Sequence, residues 1–96
     1  MNEYTINKIP SDVLKDIEQK HRYIRKQLKL SQVELSQRSG VSLGSIKRFE
    51  STGKIALEAL LKLVFVLGRL EDFETVLKPK DSLIHIEKLF SNKTKI

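Results

Sequence analysis

Ninety-six residues and 11.1 kDa are the size of one ordinary domain and leave little room for a second domain or a large enzymatic cleft. With 40% hydrophobic and 31% charged residues the composition is globular; the longest apolar runs, Ile55-Ala56-Leu57 and Leu63 to Gly68, are far too short to span a membrane, and a chain without cysteine has no disulfide framework or thiolate metal site. The net charge of +6 is concentrated: residues 1–20 carry −1, residues 21–54 carry +6 and residues 55–96 carry +1, which points to a localised anion-binding surface rather than to evenly spread solubilising charge.

In chain order, residues 1–10 read as an N-terminal arm, with Tyr4, Ile6 and Ile9 alternating like a short strand. Ser11 is a good N-cap with Asp12 in the first turn, and Val13, Ile17, Ile24 and Leu28 then recur as one apolar stripe, which predicts a first helix. Ser31 and Glu34 form a capping box ahead of a short second helix that Gly40 ends. Val41 reads as an apolar plug, and Ser42 caps a third helix running to Phe49 or Glu50, broken by Ser51-Thr52-Gly53. Ile55 to Leu67 predicts a fourth helix whose leucines, with Val64 and Phe65, cover more than half its circumference, as in a core helix. Leu70 to Leu77 predicts a short fifth helix, and Leu83, Ile86, Leu89 and Phe90 line one side of a sixth segment beyond Lys78-Pro79-Lys80. The expectation is an all-α fold of five to six helices: an arm over residues 1–10, a domain over residues 11–77, and a short C-terminal helical extension and tail over residues 78–96.

Two short helices joined by a tight glycine turn, the second rich in exposed polar residues, form the helix-turn-helix pattern. The run from Ile24 through Leu30-Ser31-Gln32, Ser39-Gly40-Val41-Ser42, Ile46 and Glu50, followed by Gly53-Lys54 and a leucine-rich helix, resembles the lambda-repressor/Cro-like (Xre) helix-turn-helix family over about residues 12–69. Ser36 stands where the family usually has alanine, and its hydroxyl is expected to bond back to a helix carbonyl. The resemblance implies a sequence-specific DNA-binding regulator. It also implies an ion pair between Arg25 of the first helix and Glu50 at the end of the third, fixing the reading helix.

The third helix can be read by geometry alone. At about 100° per residue, Ser42, Ile46, Phe49 and Glu50 share one arc, while Gly44, Ser45, Lys47, Arg48 and Ser51 share the opposite, outward one. Arg48 is the first candidate for base readout, because a guanidinium bonds bidentately to guanine; Leu43, Gly44, Ser45 and Lys47 complete the base-reading set, with Leu43 suited to a thymine methyl and Lys47 also suited to phosphate. Gln32 at the start of the second helix is expected on phosphate, where helix amides already favour an anion, and Ser42, Ser31, Lys29 and Ser51 are the further phosphate candidates. His21 and His85 are far apart and read as packing or surface residues, so neither a metal nor a cofactor is expected. No nucleophile elbow, phosphate loop or metal-binding histidine pair suggests an enzyme.

One helix-turn-helix reads only a few base pairs, so a homodimer on double-stranded operator DNA is expected, with Leu70, Phe73, Val76, Leu77, Leu83, Ile86, Leu89 and Phe90 as the candidate dimer or partner interface. With no signal sequence, transmembrane segment or effector domain in view, the reading is a cytoplasmic, nucleoid-associated protein regulated through another chain. Leu67-Gly68-Arg69-Leu70 and Ser82-Leu83-Ile84-His85-Ile86 resemble the HipB-type antitoxins, which implies autoregulation of an operon and a HipA-like kinase toxin as partner. The rival reading is a protein-interaction adaptor on the same scaffold that has lost DNA binding, for which Leu43 and Gly44 at the first positions of the reading helix speak.

Overall fold

The computed structural model describes residues 8–79, in which four α-helices and one 3-10 turn follow one another without a strand. These are α1 (Pro10–Gln27), α2 (Gln32–Ser39), α3 (Leu43–Thr52), α4 (Leu57–Val66) and the 3-10 turn Leu70–Phe73. The fold is therefore all-helical as expected, with four helices in place of five or six. The proposed sixth segment, and Tyr4 and Ile6 of the proposed strand, lie outside the described residues.

α1 begins one residue before the expected Ser11 cap. Ile9 is the N-cap and Pro10 the first helical residue, where its fixed φ suits the helix and its missing N–H costs nothing. The Asp12 carboxylate accepts from the Ile9 amide at 3.1 Å. The stripe Val13, Ile17, Ile24, Leu28 is buried only in part: Ile17 and Ile24 pack against the core, whereas Val13 and Leu28 are exposed. An 18-residue helix lying on helices of eight and ten residues overhangs them at both ends. Its most buried side chains are polar: Glu18, His21 and Arg25, spaced by three and four residues along one face.

The core lies where α2, α3 and α4 meet, made of Leu30, Leu35, Val41, Ile46, Phe49, Leu60, Leu63, Val64 and Leu67. α2 packs on α3 and α4, α1 packs on α3, and the 3-10 turn packs on α4. Phe49, Leu35, Ile46 and Leu63 are fully buried, and truncating any one of them to alanine would cost about 2–5 kcal/mol. α4 gives this core one side only. Leu57 and Phe65, expected inside, are 65% and 68% exposed, because nothing among the described residues packs on the helix face that carries them.

α3 continues through Ser51 and Thr52, whose hydroxyls donate to the Arg48 carbonyl at 3.1 and 2.7 Å, and stops at Gly53. Gly53 is a true glycine position: its φ is +81°, and a Cβ there would sit 3.3 Å from the backbone of Leu14 in α1. The expected fifth helix shrinks to Leu70–Phe73. Only Phe73 of this segment packs against the core, and without tertiary support a helix this short is not stable.

Candidate nucleic-acid interface

Local chemistry sets the two helices of the motif. Ser31 Oγ accepts from the Glu34 amide at 3.0 Å and the Glu34 carboxylate accepts from the Ser31 amide at 2.8 Å, the reciprocal box expected. These bonds hold the exposed Glu34 carboxyl below its ordinary range. Gly40 ends α2 at φ +80° and returns its amide to the Ser36 carbonyl. The turn is then braced twice on Val41: Ser36 Oγ donates to its carbonyl at 2.6 Å, and its amide donates to Ser39 Oγ at 3.0 Å. Ser36 therefore bonds forward across the turn rather than back into its own helix, so the departure from alanine adds a contact that alanine could not make.

α3 divides as the helical wheel requires. Ile46, Phe49 and Glu50 are buried, Gly44, Ser45, Lys47, Arg48 and Ser51 are exposed, and Leu43 is half-buried. Ser42 departs from its expected arc. It is exposed, because as N-cap it is not helical and the wheel does not extend to it; its Oγ accepts from the Ser45 amide at 3.1 Å and donates to Ser45 Oγ at 2.8 Å. Gly44 faces open space, with nothing within 4 Å of where a Cβ would stand.

The basic excess resolves residue by residue. Of the eight cations in residues 21–54, Arg25 is committed to Glu50 and Arg22 pairs with Glu18 at 3.1 Å. Lys26, Lys29, Arg38, Lys47, Arg48 and Lys54 are exposed and in no ion pair among the described residues. Lys29 occupies the α1–α2 loop at φ +58°.

Glu50 anchors α3 to both preceding helices. Arg25 donates Nε to Glu50 Oε2 and Nη2 to Oε1, each at 2.8 Å, and Nη1 to the Leu30 carbonyl at 2.8 Å, so the guanidinium also holds the α1–α2 loop. Gln32 Nε2 adds a third donor to Glu50 Oε1 at 3.0 Å. The ion pair implied by the family resemblance is thus present, and Gln32, expected on phosphate alone, belongs to it. His21 is the member that sequence reasoning did not place here: its Nδ1 stands 3.5 Å from Glu50 Oε2, and its ring meets Phe49 edge-on with centroids 5.0 Å apart. The signal was its place four residues before Arg25, on the same helical face.

Burial lowers the His21 pKa to about 4, against the pull of the Glu50 charge and with help from the Arg25 charge, so the ring is neutral at pH 7. Burial alone would raise the Glu50 carboxyl, but hydrogen bonds from Arg25 and Gln32, together with the Arg25 charge, outweigh it and hold the carboxyl below its ordinary value. Glu50 is therefore ionised and bidentately held, which fixes the direction in which α3 presents its outward face.

Of the expected interface residues, Phe73 packs on the core, while Leu70, Val76 and Leu77 are exposed. Leu83, Ile86, Leu89, Phe90 and His85 lie outside the described residues. Among the described residues no helix is long and apolar enough to cross a membrane, and no group of three or more His, Cys, Asp or Glu could hold a metal ion.

A capped helix, a glycine turn and a second helix with a bare basic face, locked from behind by a buried ion pair, define a helix-turn-helix domain of the DNA-binding class. A helix-turn-helix family model matches residues 22–72, more than half the chain, and the protein belongs to this Xre or lambda-repressor-like family, one of DNA-binding rather than enzymatic proteins. No curated protein and no solved structure matches the chain.

Proposed function

We propose that this protein is a sequence-specific transcriptional repressor that sets α3 into the major groove of operator DNA. The observation that carries the reading is the outward face of α3, where Lys47 and Arg48 stand exposed beside Gly44 and Ser45. In this reading Arg48 bonds guanine, Leu43, Ser45 and Lys47 contact neighbouring base edges, and Gly44 lets the helix backbone come close to the DNA. Lys29, Ser31, Ser42, Ser51 and the second N–H of Gln32 hold phosphates on either side, assisted by the amides that capping leaves open at the start of α2.

The chain acts as a homodimer on a two-fold operator and represses its own operon from the cytoplasm, in association with the nucleoid. Its role as the antitoxin partner of a HipA-like kinase rests on the run Leu67-Gly68-Arg69-Leu70 and the segment from Ser82 to Ile86. A gel shift with the DNA upstream of its own operon tests the core of the proposal. The expected complex weakens steeply between 50 and 200 mM salt, by about a thousandfold if six phosphates are neutralised. A chain that forms no salt-sensitive complex would be an interaction adaptor instead. Co-purification of a kinase-like protein from native cells tests the antitoxin role.

A further inference from the structure

The outward side of α4 is apolar where a solvent-facing helix would be polar. Leu57, Leu61 and Phe65 recur every fourth residue and fall within an arc of about 80°. Leu57 and Phe65 are each about two-thirds exposed, while Leu60, Leu63 and Val64 of the same helix are buried in the core. Shallow grooves of about 440 and 270 Å³ flank Leu61, one bounded by Arg38, Lys62 and Phe65 and the other by Leu57 and Val76; both reach Leu70. The apolar surface is thus continuous from α4 onto the exposed side chains of the 3-10 turn, and contiguous apolar surface of this kind marks an interaction site.

The edge of the stripe says what covers it. Glu58 and Lys62 lie along one side of it, 3.8 Å apart and largely exposed, so both are available to re-pair. Two copies of α4 packed antiparallel about a two-fold axis at Leu61 would set Leu61 against its own counterpart and Leu57 against Phe65 of the second copy. In antiparallel helices equivalent edges face each other. The seam would then read Glu58, Lys62 of the second copy, Lys62, Glu58 of the second copy, with neighbours offset by about 3 Å along the axis. The face is self-complementary in shape and neutral in charge, as an isologous interface requires.

We propose that the Leu57/Leu61/Phe65 face of α4, edged by Glu58 and Lys62, is the interface through which two copies of this chain associate antiparallel about a two-fold axis. The inference rests on the proposed operator reading in one respect, that a two-fold site needs a two-fold protein; the interface itself can be tested without DNA.

Sedimentation of the full chain provides that test. Glu58→Lys gives a seam of four positive charges and Lys62→Glu a seam of four negative ones, and each variant is expected to weaken the dimer about tenfold or more. An equimolar mixture restores two charges of each sign and is expected to recover dimers that neither variant forms alone. Because the chain has no cysteine, Leu61→Cys supplies a second readout: mild oxidation should cross-link it through the two-fold axis in high yield, and Glu58→Cys should cross-link poorly. A wild-type chain that is monomeric at 100 µM, or reversal variants that dimerise as tightly as wild type, would overturn the interface. A dimer that forms as described but gives no operator complex would instead count against the DNA reading alone.

Discussion

α3 and α4 are the same length, ten residues, and each buries three side chains. They differ on the other side. α3 turns Gly44, Ser45, Lys47 and Arg48 outward, whereas α4 turns out Leu57 and Phe65, with Leu61 half-covered between them. Burial of one face is all that the fold asks of either helix, so it is the remaining face that distinguishes a helix suited to a polyanion from one suited to another protein surface.

The sharpest way to break the comparison is to attack how each helix is held. Glu50 on α3 is buried and accepts three hydrogen bonds, so Glu50→Ala would strand the Arg25 guanidinium and cost about 3–5 kcal/mol in chemical denaturation. Phe65→Ala on the outer side of α4 should shift the monomer's stability by less than about 0.5 kcal/mol, because Phe65 contributes little to the core. Equal losses in the two variants would erase the distinction drawn here.

Acid should loosen α3 through the same network. His21 binds its proton in the folded chain only near pH 4, against 6.5 when unfolded, so the unfolded state takes up protons first as the pH falls. Stability should therefore fall between about pH 6.5 and 4 by roughly 3 kcal/mol, with a further loss below 4.5 as the depressed Glu50 carboxyl protonates. Urea midpoints at pH 7, 5.5 and 4.5 measure this, and His21→Leu should flatten the upper part of the slope.

Smaller effects separate reading from holding on α3. Arg48→Ala should lower affinity for the preferred operator by about 1–3 kcal/mol and hardly change binding to random DNA. Lys47→Ala should weaken both if it holds phosphate and reduce the salt slope by about one. Gly44→Ala should stabilise the free protein by up to about 1 kcal/mol, since the added methyl meets open space, and weaken operator binding where the backbone approaches the duplex. Binding unchanged by this last substitution would remove Gly44 from the reading face.

What was legible in the sequence follows the range of the interactions concerned. The Ser31/Glu34 box, the Gly40 turn, the Ser42 cap and the division of α3 are set within a few residues, and all stand as read apart from the exposure of Ser42. The buried polar face of α1 is a different case. Nothing near His21 says that the ring lies against Phe49, and Arg25 meets a carboxylate 25 residues away; only the family resemblance pointed to that pair. Gln32 looked like a free donor because its partner is 18 residues distant. The over-reading of Leu70–Leu77 as a helix and of α4 as buried all round has one cause: hydrophobic periodicity reports which residues could be covered, and the described chain supplies a cover for only some of them.

The Glu50 network has one further consequence. Because α3 is oriented by contacts to its rear, made by Arg25, Gln32 and His21, the side chains of Ser45, Lys47 and Arg48 take no part in the core. Those positions form an interchangeable alphabet on a fixed page. Mutation can rewrite them one at a time with little penalty in folding, so a lineage built on this scaffold can drift from one operator sequence to another while every intermediate remains a folded protein.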